Sequence, residues 1–315
     1  MTAIRDSTPQ RDVFVLGAPR CGTSFLADCL AARPEVTLAE GKETHYLAAA
    51  ALGDATAGPN GREFDRLRCR SRAEFDRRFS ALAPVRLEAS ASSLYYAPAA
   101  TAALRREFPD AVLLCVLRDP VVRALSSYAF MVGRGYESAA TFEEGLAREA
   151  DRERDGWNHM WAYVGAGHYR AQLDAWTAAG LSPTVLLMEH DLRTDELFTE
   201  RLPQLLGLDG PVPGTGFRNA PDAGLQPGAA RLVGRVRAWR AFRPVRAAVG
   251  AERLRRARAA LGRLPLVGRR AGAEGADALS PALLADLRVR FRDDVEHVAR
   301  LLGADVERLW PLAAG

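Results

Sequence analysis

The stretch DVFVLGAPRCGTSFLADCLA, residues 12–31, decides the fold. Val13, Phe14, Val15 and Leu16 form a short apolar run that Gly17 ends, so Asp12–Gly17 reads as a buried strand. Phe25, Leu26, Cys29 and Leu30 recur at helical spacing, which predicts a helix over Thr23–Ala32. Strand, glycine turn and helix in this order are the setting of a phosphate loop, and GAPRCGTS has its G-x-x-x-x-G spacing. The lysine that should follow Gly22 and reach β- and γ-phosphates is replaced by Thr23. What remains is a helix N-terminus with the hydroxyls of Thr23 and Ser24, which suits a terminal anion but not a γ-phosphate with magnesium. Arg20 stands inside the loop as a source of positive charge. The competing reading is an ordinary glycine turn.

The rest of the chain repeats the alternation. Ala111–Leu117 (AVLLCVL) is a continuous apolar run, as expected of a parallel strand covered on both faces. Thr184–Met188 (TVLLM), Val36–Leu38 and Arg86–Ser90 read as further strands. Helices are predicted over Ala73–Leu82, Pro98–Phe108, Asp119–Met131, Phe142–Glu149, Gly167–Ala179, Asp195–Leu206 and Pro281–Leu302. Pro120 falls in the first turn of its helix, where proline is tolerated. Strands alternating with helices imply an α/β fold with a central parallel sheet flanked by helices. Residues 207–228 are rich in glycine and proline and read as a long loop. Residues 1–11 carry no pattern and are expected to be disordered.

Composition narrows the classes. The 315 residues are 48% hydrophobic, enough for a sizeable core, with no signal-like start and no run long enough to span a bilayer. Cys21, Cys29, Cys69 and Cys115 follow neither zinc nor disulfide spacing, which points to a soluble cytoplasmic protein. Net charge is only +4, but residues 229–272 hold thirteen arginines against one acid, Glu252. That stretch is either a solvated helical face or an anion-attracting wall, and a candidate peripheral membrane contact. No RNA- or DNA-binding motif is present, so no nucleic-acid partner is expected. The chain has 42 arginines and one lysine, Lys42, which reads either as chance or as a position where arginine does not serve.

A second anion-binding pattern follows the strongest strand. Arg118 stands at its end, where ligands bind in open α/β sheets. Arg123 and Ser126, three residues apart, share a face on a regular helix. If that face turns toward Arg118, a guanidinium and a hydroxyl can clamp a second phosphate. Gly156–Tyr169 concentrates Trp157, Trp161 and Tyr163, which read either as core packing or as a stacking surface for an acceptor.

Together these residues resemble the sulfotransferases that use 3′-phosphoadenosine-5′-phosphosulfate (PAPS), in the style of bacterial and heparan-sulfate-type members. GAPRCGTS resembles their 5′-phosphosulfate loop, and LRDPVVRALSSY (Leu117–Tyr128) their 3′-phosphate motif. KETHYL, EASASSLYY, TFEEGL, GHYRAQLDAW and LGADVERLW resemble further family segments, so the likeness runs from Asp12 to Trp310. It implies a P-loop NTPase-like fold with a helical C-terminal region, one domain over residues 12–315, and PAPS as donor without a required metal. The product would be adenosine 3′,5′-bisphosphate.

Carried over residue by residue, Arg20, Cys21, Gly22, Thr23 and Ser24 would hold the 5′ end, and Arg118 and Ser126 the 3′-phosphate. Glu43 matches the family's glutamate base, beside Lys42, with His45 as the rival base. Arg218 and Arg231, in a segment only loosely similar to the family's closing loop, are further donor contacts. The family's lysine near Ala89 is absent, which argues against a heparan substrate. The acceptor is then a hydroxyl of a small molecule, glycan or lipid. Two other readings remain: a P-loop kinase or NTPase, which needs the missing lysine, and a non-catalytic nucleotide- or polyanion-binding protein, which needs no Glu43.

Overall fold

The computed structural model describes residues 10–80, 83–214, 279–303 and 306–312. Five strands, β1 (Arg11–Val15), β2 (Val36–Leu38), β3 (Val85–Glu88), β4 (Val112–Leu117) and β5 (Thr184–Leu187), form one sheet in the order β2-β3-β1-β4-β5. Every pairing is parallel, with Phe14 opposite Glu88 on one side of β1 and opposite Leu113 on the other. The expected α/β architecture is therefore present, with β1 central. From β1 the chain passes to β2, returns to β3 beside β1, and then crosses to β4 on the far side. Such a reversal opens a crevice beyond the carboxyl ends of the strands, where α/β proteins bind ligands.

Helices cover the sheet. α1 (Thr23–Ala31) follows β1, and α2 (Gly61–Leu67) and α3 (Arg72–Asp76) precede β3. α4 (Ser92–Tyr95) and α5 (Ala97–Glu107) follow β3, and α6 (Pro120–Gly133) follows β4. α7 (Phe142–Ala147), α8 (Glu149–Arg154) and α9 (Tyr169–Ala178) come before β5, and α10 (Leu202–Leu206) after it. α11 (Pro281–Arg290), α12 (Arg292–Leu302) and α13 (Val306–Leu309) form the C-terminal part. The main core packs Phe14 edge-on to Phe108 at 4.9 Å and buries Leu114, Val116, Tyr169, Trp176 and Trp310. A second apolar cluster joins Val121, Met131, Phe142, Trp161 and Tyr163 to Leu287 and Phe291. Trp161 and Tyr163 are thus packing residues; Trp161 donates to Asn60 Oδ1 at 2.8 Å.

Several expected helices differ. The predicted Ala73–Leu82 helix shrinks to α3, because Arg78 turns back onto the carbonyls of Arg66 and Leu67. The single C-terminal helix divides at Phe291, whose ring lies against Gly167, where a Cβ would meet it at 2.8 Å. Asp195–Leu206 contains a π turn at Leu197–Arg201 before α10, whose Pro203 has no N–H for a regular ladder. Glu149 begins its own helix instead of ending the preceding one. Arg11, expected in a disordered start, is already in β1. The Arg-rich stretch 229–272, most of the 207–228 loop, Arg218, Arg231 and residues 1–9 lie outside the described residues. Among the described residues no helix is long and apolar enough to cross a membrane.

Candidate active site

Each strand contributes to the crevice through the residues that follow its carboxyl end. After β1 the backbone stays joined to its neighbours: Ala18 N donates to Val116 O at 2.7 Å, and Leu94 N to Leu16 O at 2.7 Å. Gly17, at φ 149°, passes so close to α4 that a Cβ would lie 2.9 Å from the Ala91 carbonyl. Arg20 (φ 71°) and Gly22 (φ 86°) are both left-handed and swing the chain into α1. Gly22 offers no side-chain cap and the first turn has no acid, so the open amides and the positive helix end face the loop. Ser24 is exposed at this end and Thr23 is buried beside it. Cys21 lies in the loop with its backbone, but its side chain does not face the crevice. Its thiol is turned into the core, 3.8 Å from the Tyr169 hydroxyl, and burial pushes it up to about 12. All four cysteines are buried.

The loop after β2 supplies the charge that GAPRCGTS lacks. Gly41, Lys42 and His45 all have left-handed backbones, which fold residues 41–45 tightly over the end of β3. Glu88 clamps this turn from below. It is buried, and its carboxylate accepts from Thr44 N at 2.9 Å, Thr44 Oγ1 at 2.8 Å, Ser90 N at 3.1 Å and the Ser90 hydroxyl. Ala89 N donates to Lys42 O at 3.1 Å, and His45 N to Ser90 Oγ at 2.8 Å. Held this way, Lys42 Nζ donates to Glu43 Oε1 at 2.8 Å and reaches Thr23 Oγ1 at 3.4 Å. The ammonium therefore arrives, from another strand, beside the residue that replaced the loop lysine.

Glu43 and His45 are not equivalent. Burial raises the Glu43 carboxyl, but the Lys42 ammonium, then His45, outweigh it and hold it below the usual carboxylate range. Glu43 keeps 29% of its side chain exposed, whereas His45 is 2% exposed. His45 stacks on Phe64 at 4.0 Å, shares a 2.8 Å hydrogen bond between Nδ1 and Ser92 Oγ, and holds Nε2 at 3.8 Å from Glu43 Oε2. Burial lowers it to about 4, so it is neutral near pH 7.

Beyond β4, Asp119 caps α6 by accepting from Val121 N at 2.8 Å and pairs with Arg288 Nη1 at 2.8 Å. Arg118 donates through Nη1 to the Arg20 carbonyl at 3.5 Å, and its Nε makes no hydrogen bond. Glu189, after β5, stands 3.8 Å from that Nε and is itself held by Trp310 Nε1 at 3.2 Å. Arg20 Nε donates to Ser126 Oγ at 3.3 Å, so a residue expected at the 5′ end meets one expected at the 3′ end. Tyr169 ties the two motifs together, donating to the Arg118 carbonyl at 2.8 Å beside Cys21. Arg123 and Ser126 take different partners: Ser126 accepts from Arg20, whereas Arg123 is buried and donates to Ser127 Oγ one turn on.

Sequence reasoning singled out no role for Glu88, Ser90, Ser92, Tyr169, Glu189 or His159. The first four fall in EASASSLYY and GHYRAQLDAW, noted only as family-like segments; nothing in the spacing marks Glu189 or His159. His159 is buried with both ring nitrogens unpartnered, and burial lowers it to about 3. Both His45 and His159 are thus neutral when folded but protonate near 6.5 when unfolded. Between pH 6.5 and about 4 the unfolded chain binds more protons, so stability falls as pH drops through this window. Each histidine contributes up to about 1.4 kcal/mol per pH unit there. Urea midpoints should fall from pH 7 to pH 5, and His159→Phe should flatten that slope.

Residues 12–171 match the model of the sulfotransferase family. No curated protein sequence matches the chain. Among solved structures, a sulfotransferase from Alicyclobacillus acidocaldarius is similar over 67% of this chain and 87% of its own, at 27% identity and a TM-score of 0.61. With Lys42 set beside Thr23 at the end of the sheet and more than half of its residues matched by the family model, this chain belongs to the sulfotransferase family.

Proposed function

We propose that the protein moves the sulfuryl group of PAPS to a hydroxyl of a small molecule, glycan or lipid, with Glu43 as general base. The observation that carries this reading is the Lys42–Glu43 pair set against Thr23. One loop brings a cation to the anion cradle and an ionised, partly exposed carboxylate next to it. A protein that only binds anions has no use for that carboxylate.

The donor's 5′ end fits the α1 amides, Thr23, Ser24 and the Lys42 ammonium. Its 3′-phosphate fits the partly exposed guanidinium of Arg118 with Ser126 nearby, and Arg20 lies between the two ends. Transfer then follows the logic of phosphoryl transfer, in which positioning and electrostatics do most of the work. The acceptor oxygen forms a bond to sulfur as the bond from sulfur to the 5′-phosphate oxygen breaks. The acceptor proton passes to Glu43. The leaving phosphate gains charge, which Lys42 and the helix N-terminus stabilise. A carboxylate held below its usual range stays ionised down to acid pH, so it is ready to accept that proton at neutral pH. His45, neutral and enclosed, serves to orient Glu43.

Calorimetry tests the donor assignment. Adenosine 3′,5′-bisphosphate should bind at least tenfold more tightly than ATP, with no magnesium added. Equal affinities, or a requirement for magnesium, would favour the kinase reading.

A further inference from the structure

Among the described residues four arginines are buried: Arg68, Arg123, Arg152 and Arg288. Three of them have an acid beside them. Arg152 pairs with Glu137 at 2.7 Å, Arg288 with Asp119 at 2.8 Å and Arg68 with Asp65 at 3.2 Å. Arg123 is the most enclosed, at 0% exposure, yet no carboxylate among the described residues comes within 4.0 Å of it. Its Nη1 donates to Ser127 Oγ at 3.1 Å, its Nη2 donates to the Tyr163 carbonyl, and its Nε has no partner. These neutral acceptors satisfy hydrogen bonds but do not cancel the charge. Arginine stays protonated wherever proteins fold. An uncompensated charge in a protein interior is costly, so a fold that keeps one has a use for it.

The location indicates the use. Arg123 is on α6, between the two residues of the 3′ motif, and its side chain is buried against Ser127 and the Tyr163 carbonyl. Among the charges that act on the Cys21 thiol, at the middle of GAPRCGTS, Arg123 outweighs Arg118. Its guanidinium also acts on Tyr169, which touches Cys21. α6 also meets the loop, where Arg20 Nε donates to Ser126 Oγ at 3.3 Å, three residues along the helix from Arg123, so the buried charge stands beside the phosphate loop on the interior side of α6.

We infer that the counter-ion of Arg123 is the ligand's own anion on the GAPRCGTS loop, and that Arg123 is a positioning residue acting on it from the interior. This rests on the reading that the loop holds the donor's 5′ end. Arg123 touches no ligand; it acts through the field it sets up in a low-dielectric interior.

The test is calorimetry of the full chain with adenosine, adenosine 5′-phosphate and adenosine 3′,5′-bisphosphate. Arg123→Gln should lose about tenfold for both phosphorylated ligands and leave adenosine unchanged. Arg123→Lys, which keeps the charge, should stay within about threefold of the wild type. Ser127→Asp guards against misfolding of the glutamine variant. It keeps Arg123 and gives it a counter-ion, so it should weaken the same two ligands without lowering the melting temperature. Equal losses for all three ligands, or undiminished phosphate affinity in Arg123→Gln and Ser127→Asp, would overturn the role of Arg123 alone. A wild-type protein that binds neither phosphorylated ligand would overturn the donor reading itself, and this inference with it.

Discussion

Glu43→Gln should lower turnover with PAPS about 1,000-fold while changing bisphosphate affinity less than about threefold. The size follows from what a positioned base contributes, roughly 100- to 10,000-fold. The selectivity follows from the geometry. Glutamine keeps an oxygen for Lys42 Nζ, which now sits 2.8 Å from Glu43 Oε1, so the lysine keeps its place beside Thr23. What is lost is the ability to take a proton. His45→Gln is the companion variant. It removes the ring that stands 3.8 Å from Glu43 Oε2, and should cost about tenfold in turnover, as expected when a base is less well oriented. If the histidine variant lost as much as the glutamine variant, or Glu43→Gln retained full activity, the base would have to be reassigned.

Arg118→Ala should weaken adenosine 3′,5′-bisphosphate about 100-fold and adenosine 5′-phosphate less than about threefold. A guanidinium on a phosphate makes charge-assisted hydrogen bonds, each stronger than a neutral one. The fold should survive the change. Glu189, the nearest acid, still accepts from Trp310 Nε1 and from Asp119 N, both at 3.2 Å, so no carboxylate is orphaned. The Arg118 carbonyl, which Tyr169 holds, is backbone and remains. Titrating both nucleotides separates the ends of the ligand. Parallel losses would mean that Arg118 does not serve the 3′-phosphate.

These two variants probe parts of the site that were unequally visible in the sequence. The strands β1, β4 and β5 and the helix after GAPRCGTS were legible because continuous apolar runs and helical spacing are local signals. Arg118 at the end of β4 was legible for the same reason. The approach of Lys42 to Thr23 was not, because it depends on β3 lying between β2 and β1, with the loops of all three meeting at one end of the sheet. The clamp under that loop was hidden too, since Glu88 is the last residue of a four-residue strand and its partners lie in two other loops. Helical spacing could not separate Arg123 from Ser126: three residues apart spans a broad face, and burial takes Arg123 inward while Ser126 stays partly exposed beside Arg20. The break at Phe291 was invisible because the residue that receives its ring, Gly167, is distant in sequence.

Transfer itself is the most direct test of the account. Wild type and Glu43→Gln should be incubated with PAPS labelled in the sulfuryl group, together with a phenol, a sugar, a lipid alcohol and extract from the producing cells. Label should appear in an organic product with the wild type alone, without added metal. Label released only as inorganic sulfate, or transferred equally by Glu43→Gln, would contradict it.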